Sequence, residues 1–443
     1  MMEKLTHASF RYLIFLVIAL LLVNIAWISS PGMDDMTMWG ALVNGVLVHG
    51  ASYVRLCLSP ALCAGYPVMY PPLYVGIVAA GTWLFRLFVG TDTFHIIKYT
   101  IFVFYALSMA LSGWYVASVR RMSFRTFLVG MIVFGTSLAV FLNAEPLGLI
   151  DVFTYPFFIA ALLCYHKKRM FWFGMLFAVT CLTKWQALAY IPLILVYVYV
   201  TDGWRSVAVG LGGAAAGIVA VWLVLMFFPL SLFERSLFSA GSHQPLSAAP
   251  NFPWFTEMLL YTKPWQQLFG VSVHSFPFIN AITVGSERLW VLYWFWKAVS
   301  VAAYGLAVYW ICRRAARFKR REGLLFGMVL VTFCYFLFST GVHENHLMLG
   351  VIAAMLLFLN NPTGMFLWIF RMVDGISFVS LILMDGITGH AFIPWTTHGI
   401  FVPTVTAVIV CTASVYMFWR IAMVFGVSAQ GRKGNSHPHR SGR

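Results

Sequence analysis

Several short stretches of this 443-residue chain combine residue types and spacings that suit chemistry. In SSPGMDDMTMWG, Asp34 and Asp35 stand side by side in a chain with only 14 acidic residues. A carboxylate can take the proton of an attacking hydroxyl, so either is a candidate general base. Two adjacent carboxylates also raise one another's pKa when both are desolvated, so the second can tune the first. The local alternative is an N-cap, since Asp ahead of a helix is common. In LTKWQALAY, Lys184 stands where two apolar runs meet. It is either a point charge for an anion or a lysine snorkelling to an interface. HENH sets His343 and His346 three apart around Glu344. The HExxH spacing is missing and no third ligand is evident, so no metal is expected. Anion binding by an imidazole and capping of a helix end are the two remaining roles.

These residues sit in a chain that is 61% apolar and 10% charged, with a mean hydropathy of +0.84. Soluble domains run about 45–50% apolar and about 25% charged, so the composition predicts an integral membrane protein. Runs of about 20 apolar residues, enough for a ~30 Å hydrocarbon core, recur from end to end. They place helices near 12–29, 96–119, 126–142, 150–165, 170–183, 187–201 and 207–229. Further helices are expected near 289–312, 324–340, 346–360, 364–384 and 403–425. The fold class is therefore an all-α polytopic membrane protein with about 12 transmembrane helices. The first run, Leu13–Ile28, has a basic flank but no small-residue cleavage site, so it reads as a membrane helix.

A net charge of +15 suggests a polyanion partner, but its distribution argues against nucleic acid. RRMSFR (Arg120–Arg125), HKKR (His166–Arg169), RRAARFKRR (Arg313–Arg321) and the C-terminal tail place the charge in short turns between apolar runs. That is the positive-inside pattern. It predicts a plasma (inner) membrane protein with both termini cytoplasmic and two long outer segments, 30–95 and 230–288. A crossing by Pro71–Gly90 would invert every later basic turn, so this run is expected to be re-entrant or interfacial. Residues 1–425 form one polytopic domain and 426–443 a basic cytoplasmic tail. Only Glu3, Asp202 and Glu322 among the acidic residues fall on the cytoplasmic side. Arg371 and Asp374, three apart on one helical stripe, read as an internal structural pair. Cys57 and Cys63 share the first outer loop, where a bridge and two free thiols are both open.

Asp35, Trp39, Gly50 and Tyr53 together resemble the first-loop pattern of GT-C glycosyltransferases, polytopic enzymes that use a polyprenyl-phosphate sugar as donor. YPPLY (Tyr70–Tyr74) is similar to the Tyr-Pro-Pro-Leu of dolichol-pathway glucosyltransferases and their bacterial relatives. Met69 stands where those relatives often carry Asp. NAEPLGLIDVF resembles a Gly-Gln-x-Asp element that keeps its Asp as Asp151 and lacks the Gly-Gln. LTKWQALAY resembles a Lys-Pro-Gln segment with Lys184 and Gln186 kept and Trp185 in place of Pro. APNFPWF resembles an Asn-x-x-Trp element through Asn251 and Trp254, and GVHENHLML resembles a His-Glu motif.

The resemblance implies transfer of a mannose- or glucose-like hexose, with inversion, from a polyprenyl-phosphate donor to a glycan or glycolipid acceptor. The site would be extracytoplasmic and no cofactor would be required. It implies Asp35, with Asp34, as the base. Lys184, His343, His346 and Arg55 would contact the donor phosphate. Tyr70, Asp151, Gln186, Asn251, Trp254 and Glu344 would contact substrate. Such a transfer needs a base for the acceptor hydroxyl and donors for the charge growing on the phosphate. No Gly-rich phosphate loop and no Asp-x-Asp motif is present, which argues against a nucleotide-sugar donor. A transporter or lipid-linked sugar flippase is the alternative, with a non-catalytic scaffold third. Transporters often carry ionisable residues on broken midplane helices, whereas here those residues gather in the predicted outer loops. Single-cysteine labelling at Asp92 and Ser123 should place them on opposite membrane faces. Labelling of both from one face would overturn the re-entrant assignment.

Overall fold

The computed structural model describes residues 7–32, 35–50, 71–120, 122–225, 249, 251–259, 263–270, 287–315, 320–340, 342–385, 413 and 416. Every regular element among them is helical. The first half comprises α1 (His7–Ala26), α2 (Asp35–His49), α3 (Pro72–Val89), α4 (Thr93–Val119), α5 (Phe124–Gly135) and α6 (Leu138–Asn143). A 3-10 turn at Ile150–Thr154 leads into α7 (Tyr155–His166), followed by α8 (Met170–Thr183). Another, Trp185–Tyr190, leads into α9 (Ile191–Asp202), and α10 (Trp204–Val224) follows. Then come α11 (Phe252–Leu259), α12 (Lys263–Phe269), α13 (Glu287–Arg313) and α14 (Arg320–Phe338). A third 3-10 turn, Glu344–Leu347, opens α15 (Met348–Asn360), and α16 (Gly364–Asp385) closes the series.

Five described helical segments are long and apolar enough to cross a membrane: Thr93–Val119, Trp185–Asp202, Trp204–Val224, Trp290–Arg313 and Gly364–Leu383. The other apolar helices, of 10–17 residues, include those at Ile150–His166, Met170–Thr183 and Asn345–Asn360. The lipid-type surface lies on the outer helices. On α10, Val209, Leu211, Ile218, Val219, Leu223 and Val224 are exposed, as are Phe15, Leu22 and Val23 on α1. Water would penalise so much exposed apolar area, while hydrocarbon does not. At the centre, α15 is buried on every side from Met348 to Leu357. A helix apolar all round belongs inside a bundle. The predicted helix at 403–425 and the pair Cys57–Cys63 lie outside the described residues.

Two elements differ from expectation. Residues 35–49, expected to be outer loop, form α2. Trp39, Leu42, Val43 and Val46 are all buried, at the i, i+3, i+4, i+7 spacing of one helix face. Gly40, Asn44 and Gly45 interrupt the apolar run and hide that face from composition alone. Trp39 meets Tyr74 of α3 edge to face at 5.3 Å, so the expected interfacial helix packs on α2. The second difference is that the helix expected at 126–142 breaks at Thr136–Ser137 into α5 and α6.

The break is held by Asp374 of α16. Its carboxylate accepts from the Ser137 hydroxyl at 2.6 Å and from the backbone N–H groups of Ala139 at 3.1 Å and Leu138 at 3.2 Å. Arg371 stands 3.6 Å from the same carboxylate and donates to the Thr136 carbonyl at 3.1 Å. The expected structural pair is thus a capping device acting across the bundle. It meets the N–H groups that the first turn of a helix leaves without partners.

Elsewhere backbones touch directly. A Cβ added to Gly174 of α8 would lie 1.9 Å from the Gly210 carbonyl oxygen of α10, and one on Gly213 would lie 1.9 Å from that of Phe171. Small residues permit this approach, which gives helices in lipid their packing energy. Replacing Asp374 by Ala should strand the α6 donors, at about 1–3 kcal/mol for a buried group left unpaired. Asp374→Asn keeps an acceptor oxygen and should lose less. Thermal unfolding in detergent measures both, and wild-type stability in the Ala variant would remove the cap from the account.

Candidate functional site

Three interruptions of helical structure bring the predicted residues together. The first is the 3-10 turn before α7, which carries Asp151 with its side chain buried. The second is the junction of α8 with the turn before α9. There Lys184 adopts an extended backbone, with φ −151° and ψ 131°, and ends α8. The third is the turn between α14 and α15, entered through His343 and containing Asn345 and His346. Helix ends leave backbone groups without intrahelical partners. Inside an apolar bundle such ends are tolerated where protein or a polar cavity receives them.

The Lys184 ammonium donates to one carboxylate oxygen of Asp151 as a buried ion pair. The other oxygen accepts from Asn345 Nδ2 at 3.1 Å. Gln186 Nε2 reaches Asn345 Oδ1 at 3.4 Å, a long contact that links the second interruption to the third. Asp151 is therefore held from both later segments at once. Its own turn is closed by the Thr154 hydroxyl, which donates to the Asp151 carbonyl.

The histidines form the next layer. The His343 and His346 rings meet edge to face at 5.4 Å, and His346 stacks on Tyr335 of α14 at 5.8 Å. Burial, and secondly the charge of Lys184, push the His343 pKa down to about 4. At neutral pH His343 is therefore an uncharged imidazole with one donor and one acceptor nitrogen. It can hydrogen-bond a phosphate oxygen, but it brings no standing positive charge.

Asn251 and Trp254 occupy a different position. Asn251 is fully buried, and its side-chain NH₂ donates to the carbonyls of Phe336 at 2.8 Å and Ser339 at 3.3 Å. Its carbonyl oxygen accepts from the Trp254 backbone N–H at 2.9 Å, capping α11. Trp254 is buried as well. The two residues dock α11 on the end of α14, just ahead of the His343 turn. Lys297 of α13 binds the same region through the Thr340 carbonyl at 3.2 Å.

Asp151, Lys184, Gln186, His343 and His346 thus share one cluster. Asp35 is the first residue of α2, while its side chain, Asp34, Arg55, Tyr70 and the Glu344 side chain lie outside the described residues. Asn345, Tyr335 and Lys297 are members or neighbours that no charge pattern or metal-ligand spacing singled out. Asn345 lies inside HENH but is a neutral amide between more conspicuous residues.

No known family model matches the chain, and no curated protein matches it significantly. The cluster itself makes a thermodynamic prediction. Asp151→Asn and Lys184→Met each leave a buried charge without its counter-ion, which should cost about 3–5 kcal/mol. The double variant should recover a large part of that loss. Strictly additive losses in one detergent would show that the two charges do not interact.

Proposed function

We propose that this chain is a glycosyltransferase that moves a hexose from a polyprenyl-phosphate donor to a glycan or glycolipid acceptor. The proposal includes an extracytoplasmic site in a plasma-type membrane, cytoplasmic termini and a fold related to that of the GT-C enzymes. The observation that carries it is the convergence of Asp151, Lys184, Gln186, His343 and His346. These residues come from three separate motifs of the ordered series, and they pack together where helices are interrupted.

In this mechanism Asp35 takes the proton of the acceptor hydroxyl as its oxygen attacks the anomeric carbon. The bond from that carbon to the phosphate oxygen breaks on the opposite face, so the configuration inverts. The lipid phosphate leaves with the bonding electrons. Lys184 meets its growing charge, and His343 donates a hydrogen bond. The ammonium has three N–H donors, so it can meet a phosphate oxygen while Asp151 keeps its place beside it. Donors fixed in a water-poor site stabilise such charge far better than they would in water. Asp151 and Asn345 are then positioning residues that hold Lys184 and Gln186 ready.

Export or flipping of a lipid-linked sugar is the second proposal, favoured by one observation. Interrupted helices that meet at a buried ion pair are also a device of transporters. Mass spectrometry of glycolipids and glycans with and without the gene separates the two. A transferase leaves a product short of one hexose when absent, whereas a flippase leaves donor accumulating on one leaflet. With purified protein and a polyprenyl-phosphate hexose, Asp35→Asn should lower transfer by about 10²–10⁴-fold. If Asp35 only caps α2, the same change costs about 1 kcal/mol of stability and leaves turnover per folded molecule near wild type. That second result would remove Asp35 from the mechanism.

A further inference from the structure

The connector between α6 and the Ile150–Thr154 turn holds a second meeting of lysine and carboxylate, one that the proposed transfer does not use. Glu145 and Lys98 of α4 are both fully buried. The Lys98 ammonium donates to the backbone carbonyl of Glu145. Both carboxylate oxygens of that same residue lack a hydrogen-bond partner among the described residues. The Tyr105 hydroxyl neighbours both the Asn24 amide and the Glu145 carboxyl. Asn24 commits its NH₂ to the Leu20 carbonyl at 2.9 Å, which leaves its side-chain oxygen unpartnered as well.

Two features of this geometry bear on the charge of Glu145. An ammonium next to an ionised carboxylate forms a charge-assisted bond, about twice as strong as a neutral one. Here the ammonium chooses the amide carbonyl of the same residue. The surroundings are also short of donors. Among the described residues, both Glu145 carboxylate oxygens, the Asn24 side-chain oxygen and the Tyr105 hydroxyl are buried without a hydrogen-bond partner. An ionised carboxylate buried without hydrogen bonds is among the costliest arrangements in a protein, and a proton supplies the missing donor.

We infer that Glu145 is a proton-binding site: its carboxyl holds a proton at neutral pH, and loss of that proton draws the Lys98 ammonium from the carbonyl to the carboxylate. The released proton passes to the aqueous buffer. Burial, opposed by Lys98, pushes the Glu145 pKa up to about 8. Among the described residues, the titratable groups facing the carboxyl are Lys98 and Tyr105 of α4, while α1 contributes the uncharged Asn24.

The site is joined to the entry of α2. Ser30 donates to the Pro146 carbonyl at 2.9 Å. Gly148, at φ +70°, lies so close to Met36 that an added Cβ would be 2.6 Å from its sulfur and 3.3 Å from Lys98 Nζ. Movement of Lys98 therefore acts on the segment that delivers Asp35. The proton site itself stands whether or not the chain is a transferase.

Infrared difference spectroscopy of the purified protein tests it. A protonated-carboxyl C=O band should be present at about pH 6 and gone by about pH 10, with its midpoint near the folded-state pKa. Glu145→Gln should abolish that band, and Asp374→Asn should leave it in place. Lys98→Met removes the opposite charge and should raise the midpoint by about 1–3 units. If the Gln variant does not fold, the wild type carrying ¹³C-glutamate should show the band shifted, and ¹³C-aspartate should not shift it. Absence of a glutamate band at the lower pH, its survival in the Gln variant, or an unmoved midpoint in Lys98→Met would each overturn the inference. A negative sugar-transfer assay would leave the spectra untouched, so the two proposals can fail separately.

Discussion

Asp151 and Lys184 can stay charged inside an apolar bundle only as a pair, and the surrounding architecture follows from that requirement. Their attraction offsets desolvation only when the remaining lone pairs and protons are also met. Asp151 needs a second donor, and Asn345 provides it from the turn before α15. Lys184 must reach inward, so α8 stops at an extended residue and does not continue into α9. A continuous helix would carry the ammonium round its cylinder instead. The interruptions at Ile150–Thr154, Lys184 and Glu344–Leu347 are one solution to one electrostatic problem, distributed over three parts of the chain.

That origin explains why the cluster was largely legible in the sequence while its supports were not. In a chain with 10% charged residues, Asp151, Lys184 and the histidines of HENH are conspicuous by type, and each sits at the edge of an apolar run. Asn345 and Tyr335 are neutral and common, so nothing marks them before the fold brings them in. The Asp374 cap was illegible for another reason, since its partner Ser137 lies 237 positions away. Sequence spacing exposed the Arg371–Asp374 neighbourhood but not what it was for. Helix α2 was missed because glycine and asparagine break its apolar run, although its buried face keeps strict helical spacing. Asn251 shows the converse, a residue picked out by motif whose described hydrogen bonds all go to backbone groups.

The bundle divides its labour accordingly. Outer helices such as α10 present apolar side chains outward and meet their neighbour α8 through bare backbone at Gly174 and Gly213. Packing of that kind fixes distance and angle with little tolerance, because no side chain stands between the backbones to absorb an error. Since α8 ends at Lys184, the glycine contacts also set how far into the bundle its ammonium reaches. The central α15, apolar from Met348 to Leu359, provides an apolar floor on which a few polar groups stay strongly coupled.

The spacing of the ion pair along the chain has a consequence for how the protein is made. Asp151 and Lys184 lie 33 positions apart, on the two arms of the hairpin formed by α7 and α8, whereas Asn345 reaches Asp151 across 194. A ribosome delivers that hairpin to the insertion machinery as a unit, with its two charges already able to cancel. The electrostatic obstacle to entering the bilayer is thus met locally and early. The histidine turn arrives only after several more helices have been synthesised. Until then the nascent chain carries a neutralised pair with no histidines beside it.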